Sequence, residues 1–233
     1  MSAISCRVER LGLIDYDEAF ALQAERVAAR QQGQIPDTLL LCEHPHTYTL
    51  GTAADRGNLL LTPEQMAAQG ITVRQIDRGG DVTYHGPGQI VGYPILQLAR
   101  GETFRADVIG YVRRLEQVII ETISAFGITG YPIAGLTGVW VDTPRGEQKI
   151  AAIGVRVTVR AVTKHGFALN VNTDLSYFSG IIPCGIRDKG VTSLAALLGQ
   201  PIDPGQAADA LITAFGRVFG RDMRPANLTR DSA

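Results

Sequence analysis

The sequence predicts an α+β domain with mixed, largely antiparallel sheets and flanking helices. Strand-like runs follow one another without the regular strand–helix–strand cadence of a parallel sheet. The helical patterns are few and stand apart from those runs. No repeat, low-complexity stretch or Pro/Gly/Ser-rich linker divides the 233 residues. One domain over residues 1–224, followed by a polar tail over 225–233, is the expectation.

In chain order, residues 17–31 read as a helix. Residues 39–42 and 48–50 read as short strands around a His-Pro turn. The clearest helix covers residues 105–126, where Val108, Tyr111, Val112, Leu115, Val118, Ile119, Ile123 and Phe126 repeat at helical spacing. Gly127 is placed to end it. Strands over 149–160 and 165–172 follow, then helices over 194–198 and 206–219. The stretch from Arg224 onward is polar and expected to fray.

Hydrophobic residues make up 45% of the chain and the formal charge is −1, which excludes a disordered chain and a polybasic nucleic-acid binder. Cys6, Cys42 and Cys184 form an odd, widely spaced set, which argues against a disulfide framework and for a reducing compartment. The first residues lack a basic segment followed by an apolar run. No stretch approaches the ~18 to 20 apolar residues of a membrane span. A cytoplasmic protein acting on neither nucleic acid nor membrane is expected.

Two segments hold the most chemical information. Arg78-Gly79-Gly80-Asp81-Val82-Thr83-Tyr84-His85-Gly86-Pro87-Gly88-Gln89 is dense in glycine. Its backbone N–H groups can receive a carbonyl, carboxylate or phosphate, or it can be a plain pair of turns around a hairpin. It matches neither a Walker A loop nor a dinucleotide fingerprint. In the second segment, Pro183 and Gly185 hold Cys184 on a turn. Such a cysteine is a nucleophile if a nearby cation lowers its pKa, and a buried structural thiol otherwise.

A parity count along 149–160 puts Ala151, Ile153, Val155, Val157 and Val159 on one face. Lys149 falls with them unless a bulge intervenes. A lysine there needs a partner, or else it snorkels to solvent from the strand end. The cluster Cys42-Glu43-His44-Pro45-His46 is too tightly spaced for standard zinc ligation, and no metal is expected. His85 and His165 read as structural hydrogen-bonding histidines more readily than as bases.

The segments in their order resemble the lipoyl(octanoyl) transferase family of lipoate biosynthesis, over residues 39–198. The resemblance rests on Glu43-His44-Pro45 with Thr49-Leu50-Gly51, and on Arg78 through Gln89 with Gly92-Tyr93-Pro94. It rests also on Gly138-Val139-Trp140, on Lys149 through Gly154, on His165 through Asn172, and on Pro183-Cys184-Gly185-Ile186.

The resemblance implies the catalytic fold shared with biotin and lipoate protein ligases. It implies transfer of an octanoyl group from octanoyl-acyl carrier protein to lipoyl domains of 2-oxoacid dehydrogenase complexes and of the glycine cleavage H protein. Cys184 matches the acyl-carrying cysteine and Lys149 the catalytic lysine. The acyl group is expected against Arg78, Gly79, Gly80, Asp81, Val82, Thr83, Tyr84 and His85, against Ala152, Ile153 and Gly154, and against Gly166, Phe167 and Ala168. No cofactor is implied, and a monomer is expected.

Three rivals stay open at this stage: an ATP-dependent ligase of the same fold, a lipoyl-domain amidotransferase, and a non-catalytic carrier-binding domain. Arg145, Arg156, Arg160, Lys164, Arg187 and Lys189 form a candidate surface for acidic carrier proteins.

Overall fold

The computed structural model describes residues 4–98, 107–185 and 189–226. The elements run β1 (Ile4–Leu13), α1 (Tyr16–Gln31), β2 (Asp37–Glu43), β3 (Thr47–Leu50), α2 (Pro63–Ala68), β4 (Thr72–Gln75), β5 (Val82–His85), β6 (Gln89–Ile95) and α3 (Val108–Ser124). Then come β7 (Tyr131–Ile133), β8 (Leu136–Thr143), β9 (Gly146–Val157), β10 (Thr163–Asn170), β11 (Gly190–Val191), α4 (Leu194–Leu198), α5 (Pro204–Phe219) and β12 (Arg221–Pro225).

The large sheet has the order β12-β1-β2-β6-β10-β9-β8-β7, with β11 beside β9. It is parallel across β12, β1 and β2 and antiparallel from β2 through to β7. A small sheet of order β4-β3-β5 is separate from it. The expected α+β class with mixed, largely antiparallel sheets is the one observed.

Both faces of the large sheet are covered, which explains the unbroken apolar run of β2. Leu39 and Leu41 enter the main core with residues of α3 and α5, while Leu40 and Cys42 pack with Ala19 of α1. Helix α3 sends Tyr111, Leu115, Val118, Ile119 and Ile123 into that main core. Each of the four aliphatic side chains contributes about 1.5–3 kcal/mol by burial.

Asp107 caps the α3 N-terminus by accepting from the Gly110 N–H. Gly127, at φ 76°, takes the left-handed turn after α3, and the Ile128 N–H bonds back to the Ile123 carbonyl. The predicted start of this helix, residues 105 and 106, lies outside the described residues.

Several elements differ from the sequence reading. Strand β9 begins at Gly146 and ends at Val157. Val159, expected on the apolar face, stands 99% exposed in the turn to β10, where Ala161 adopts φ 61°. Arg224 and Pro225 do not fray: they pair with Arg7 and Val8 of β1. The charged side chains of Arg221, Asp222 and Arg224 hid a strand that pairs with β1 through its backbone. Residues 227–233 lie outside the described residues. Among the described residues no helix is long and apolar enough to cross a membrane.

Candidate active site

The glycine-rich loop joins β4 to β5 and lies against the end of β3. Gly51 N–H bonds to the Asp81 carbonyl, and Ala53 N–H to the Gly80 carbonyl. A Cβ on Gly51 would collide with the Gly80 carbonyl and with Nη1 of Arg78. On its other side the loop crosses β9, where the Gly79 N–H bonds to the Val155 carbonyl at 3.1 Å. Gly154 has room only for hydrogen beneath Arg78, whose Cδ would sit 2.8 Å from an added Cβ. The glycines thus allow loop and strand backbones to touch.

Strand parity sorts the next residues. Thr83 and His85 line a cavity of about 50 Å³, together with Arg78, Gly79 and Gly80. Ala152, Ile153 and Gly154 of β9 and Gly166, Phe167 and Ala168 of β10 also line it. Val82 and Tyr84, expected at the acyl group, instead face the core of the small sheet with Tyr48, Met66 and Phe178. Alternation along β5 makes this unavoidable once Thr83 and His85 face the cavity. Asp81 does not line this cavity either: it borders an adjacent open cleft and accepts from the Asn58 side-chain amide.

A one-way chain of hydrogen bonds runs beside the cavity. Arg78 Nη2 donates to Thr49 Oγ1 at 2.9 Å, and Thr49 Oγ1 lies 3.4 Å from His85 Nε2. His85 Nδ1 lies 2.9 Å from Gln89 Oε1. The Gln89 amide nitrogen donates to the Tyr84 carbonyl and to Asn170 Oδ1, while Asn170 Nδ2 donates to the Thr192 carbonyl. Those two carbonyls accept only, so both amide orientations are forced. His85 therefore carries its proton on Nδ1 and accepts from Thr49 at Nε2. Burial, with nearby His44 and Arg78 adding to it, pushes the imidazole down to about 3.

His165 is neutral as well. Its Nε2 donates to Asp77 at 2.7 Å, and burial lowers its pKa to about 4 despite that partner. Burial alone would raise the Asp77 carboxyl, but His165 and Lys164 outweigh it and hold the acid below its ordinary value.

Lys149 reaches the site through an irregularity. Across from β8, Val139 pairs with Ala151 while Trp140 pairs with Lys149, so Ile150 is an extra residue in β9. Ile150 and Ala151 both enter the main core. Parity from Ala151 would have put Lys149 there too; the bulge turns it to the opposite face. Its ammonium lies 4.7 Å from the Trp140 ring centroid. Buried Glu116 of α3 steadies this corner by accepting from the Gly138 N–H at 3.2 Å and from Arg113 at 2.6 Å. Lys149 and Ala152 border one small space together with Asn170 and Pro183.

Pro183–Gly185 forms a single 3₁₀ turn with Gly185 at φ 70°. The Ile182 N–H bonds to the Asn58 carbonyl at 2.9 Å, which ties the turn to the loop after β3. The Cys184 side chain lies outside the described residues, as does Ile186.

Tyr16, Val91, Tyr93 and His165 also line the cavity and were absent from the expected site. Tyr93 and His165 stand in the family-like motifs. Tyr16 and Asn58 gave no signal in the sequence. Glu116 gave one: it is an acid on the apolar stripe of α3, beside Leu115 and three residues before Ile119.

His44 is held structurally, with Nδ1 at the Ile14 carbonyl and Nε2 at the Tyr93 hydroxyl, both at 2.8 Å. Burial pushes the adjacent Cys42 thiol far up. Of the expected basic surface, Arg156 and Lys164 pair with Asp77, and Lys189 pairs with Glu147. Arg187 lies outside the described residues.

A family model described as the lipoyl protein ligase A/B catalytic domain matches residues 15–216. An octanoyltransferase of Chloroflexus aggregans is 50% identical over 220 residues, 94% of this chain and 96% of its own length. One of Solibacter usitatus is 49% identical, over 95% of this chain and 96% of its own length. The chain belongs to the octanoyltransferase family. It is an enzyme of the acyltransferase type.

Solved structures show the family fold. A bi-partite lipoate protein ligase from Thermoplasma acidophilum superposes with a TM-score of 0.70 at 18% identity, covering 97% of this chain and 88% of that one. A lipoate-protein ligase A bound with ATP gives 0.70 at 16% identity, covering 97% and 90%.

Proposed function

We propose that the chain moves an octanoyl group from octanoyl-acyl carrier protein to a specific lysine of lipoyl domains, through a thioester on Cys184. The acceptors are lipoyl domains of 2-oxoacid dehydrogenase complexes and of the glycine cleavage H protein. The protein works as a monomer in the cytoplasm, where a reducing poise keeps the thiol available. The observation that supports this reading best is the bulge at Ile150, which turns Lys149 toward the space beside Pro183 and Ala152.

The Cys184 thiolate attacks the thioester carbonyl, a new C–S bond forms, and the carrier's C–S bond breaks. Lys149 gives its proton to the leaving thiolate. In the second half, the lysine amine of the lipoyl domain attacks, C–N forms, Cys184 leaves as thiolate, and Lys149 takes up the amine proton. Thioester exchange is nearly balanced, so loading needs no ATP, and amide formation drives the sequence forward.

The tail lies in the cavity walled by Ala152, Phe167, Ala168 and Gly166. Neutral His85 and His165 keep that wall compatible with a hydrocarbon. Burying about six methylenes yields on the order of 5 kcal/mol.

Intact mass spectrometry after mixing the protein with octanoyl-acyl carrier protein, without ATP, tests the reading. One octanoyl adduct on the wild type and none on Cys184→Ala is expected, discharged by a lipoyl domain. Acylation that appears only with ATP and free octanoate would assign the chain to the ligases instead.

A further inference from the structure

Two residues outside the acyl cavity join its wall to the turn that carries Cys184, and the reaction above gives neither a part. After β3 the chain makes a single 3₁₀ turn, Arg56–Asn58, whose N-cap Asp55 accepts from the Gly57 N–H. The Asn58 N–H closes the turn on the Asp55 carbonyl at 3.0 Å. This leaves two donors aimed at one acid of the glycine-rich loop. The Asp55 N–H donates to Asp81 Oδ1 at 3.1 Å, and Asn58 Nδ2 donates to Asp81 Oδ2. A carboxylate only accepts, so the Asn58 amide has one orientation here.

The main chain of the same turn faces the other way. The Asn58 carbonyl accepts from the Ile182 N–H, and the Leu60 N–H donates to the Gly180 carbonyl, both at 2.9 Å. Leu59 and Ile181 form an antiparallel bridge between these bonds. The side chains complete the contact. A Cβ on Gly185 would stand 3.5 Å from Asp81 Oδ2 and 3.7 Å from Asn58 Nδ2. Gly80, next to Asp81 in sequence, lines the acyl cavity, as does Thr83. One side-chain pair thus spans the step from the cavity wall to the residue after Cys184.

We infer that Asn58 and Asp81 are positioning residues, whose bond sets the Cys184 turn against an acyl carbonyl held in the cavity. The inference rests on the proposed thioester chemistry and adds two residues to it. Attack needs the reacting atoms within about 3–3.5 Å, and a misplacement of about 1 Å costs on the order of a hundredfold. Main-chain bonds from residues 58–60 fix the cysteine's segment to the loop after β3. Gly51 and Ala53 tie the start of that loop to the glycine-rich loop. Asn58 and Asp81 tie its far end, beside the turn itself.

Donor and acceptor can be exchanged, which supplies the test. Asn58→Asp sets two carboxylates against each other. In the double variant Asn58→Asp with Asp81→Asn, the new amide donates to the new carboxylate, and its oxygen still accepts from the Asp55 N–H. Cys184 acylation is followed in single turnovers with octanoyl-acyl carrier protein, beside the unfolding midpoint of each variant. Asn58→Asp lowers the maximal rate about a hundredfold and leaves the half-saturating donor concentration unchanged. Asn58→Ala, which drops the donor without adding charge, lowers it about tenfold and serves where Asn58→Asp does not fold. The exchange restores the rate to within about threefold of wild type. An unaltered maximal rate in the folded single variants overturns the inference. So does an exchange variant with the wild-type midpoint that stays as slow as the single variants. Failure of the wild type to form an adduct overturns the thioester reading, and the inference with it.

Discussion

The two faces of the large sheet are covered in different ways. Toward α3 and α5 the contact is aliphatic and aromatic, with Leu115, Val118, Ile119, Leu211 and Phe215 fully buried. Toward α1 and the small sheet it is built from tyrosines, neutral histidines, a hydrogen-bond chain and glycines in van der Waals contact with neighbouring backbone. The first face gains cohesion roughly in proportion to area and tolerates adjustment. The second depends on donors and acceptors aimed in fixed directions, so it specifies geometry at a cost in tolerance. Change on one face should act on stability, and change on the other on the site.

The largest effect on stability belongs to the helical face. Leu115→Ala removes a fully buried side chain and should destabilise by about 2–5 kcal/mol. Measured by denaturant unfolding, that loss should leave KM for the acyl donor unchanged wherever the protein is folded. A shift in KM would erase the distinction between the faces.

Gly51→Ala is the counterpart on the other face. The added methyl meets the Gly80 carbonyl and Arg78, at about 1–3 kcal/mol of overpacking. The loop has to move, so acyl transfer should fall more steeply than the unfolding midpoint. Equal falls would mean that the loop contact is only structural.

Smallest is a pH effect confined to the polar face. His165 has a folded pKa of about 4 against an ordinary 6.5, and His85 is shifted in the same direction. Between those values the unfolded chain binds a proton that the folded chain refuses. Stability is full above pH 6.5 and declines as the pH falls toward 4. Unfolding midpoints at pH 7 and pH 5 should therefore differ, and less so in His165→Asn. Asparagine suits that position because His165 sits at φ 58°, where asparagine is tolerated. An undiminished difference in the variant would move the effect elsewhere.

Legibility in the sequence follows the same division. The helical face could be read because α3 repeats its apolar residues at a fixed period, and burial rewards that period directly. On the polar face, glycine density marked the loop and the Pro-Cys-Gly turn marked Cys184. Thr83 and His85 could not be separated from Val82 and Tyr84, because both pairs are plausible on either side of a strand. Tyr16 and Asn58 come to the site from elements distant in the chain, and nothing local marks them.

Lys149 shows where the boundary falls. By itself the sequence determined the α+β class, the main helices, the glycine-rich loop, and a lysine at the head of a strand whose alternation put it on the apolar side. Only the tertiary structure decided which way that lysine faces. The pairing of β9 with β8 skips Ile150, and Glu116, thirty-three residues earlier, holds Gly138 beside it. Periodicity is a property of one segment, and a sequence displays it. A bulge is a property of two strands and whatever pins them, so it exists only once they meet.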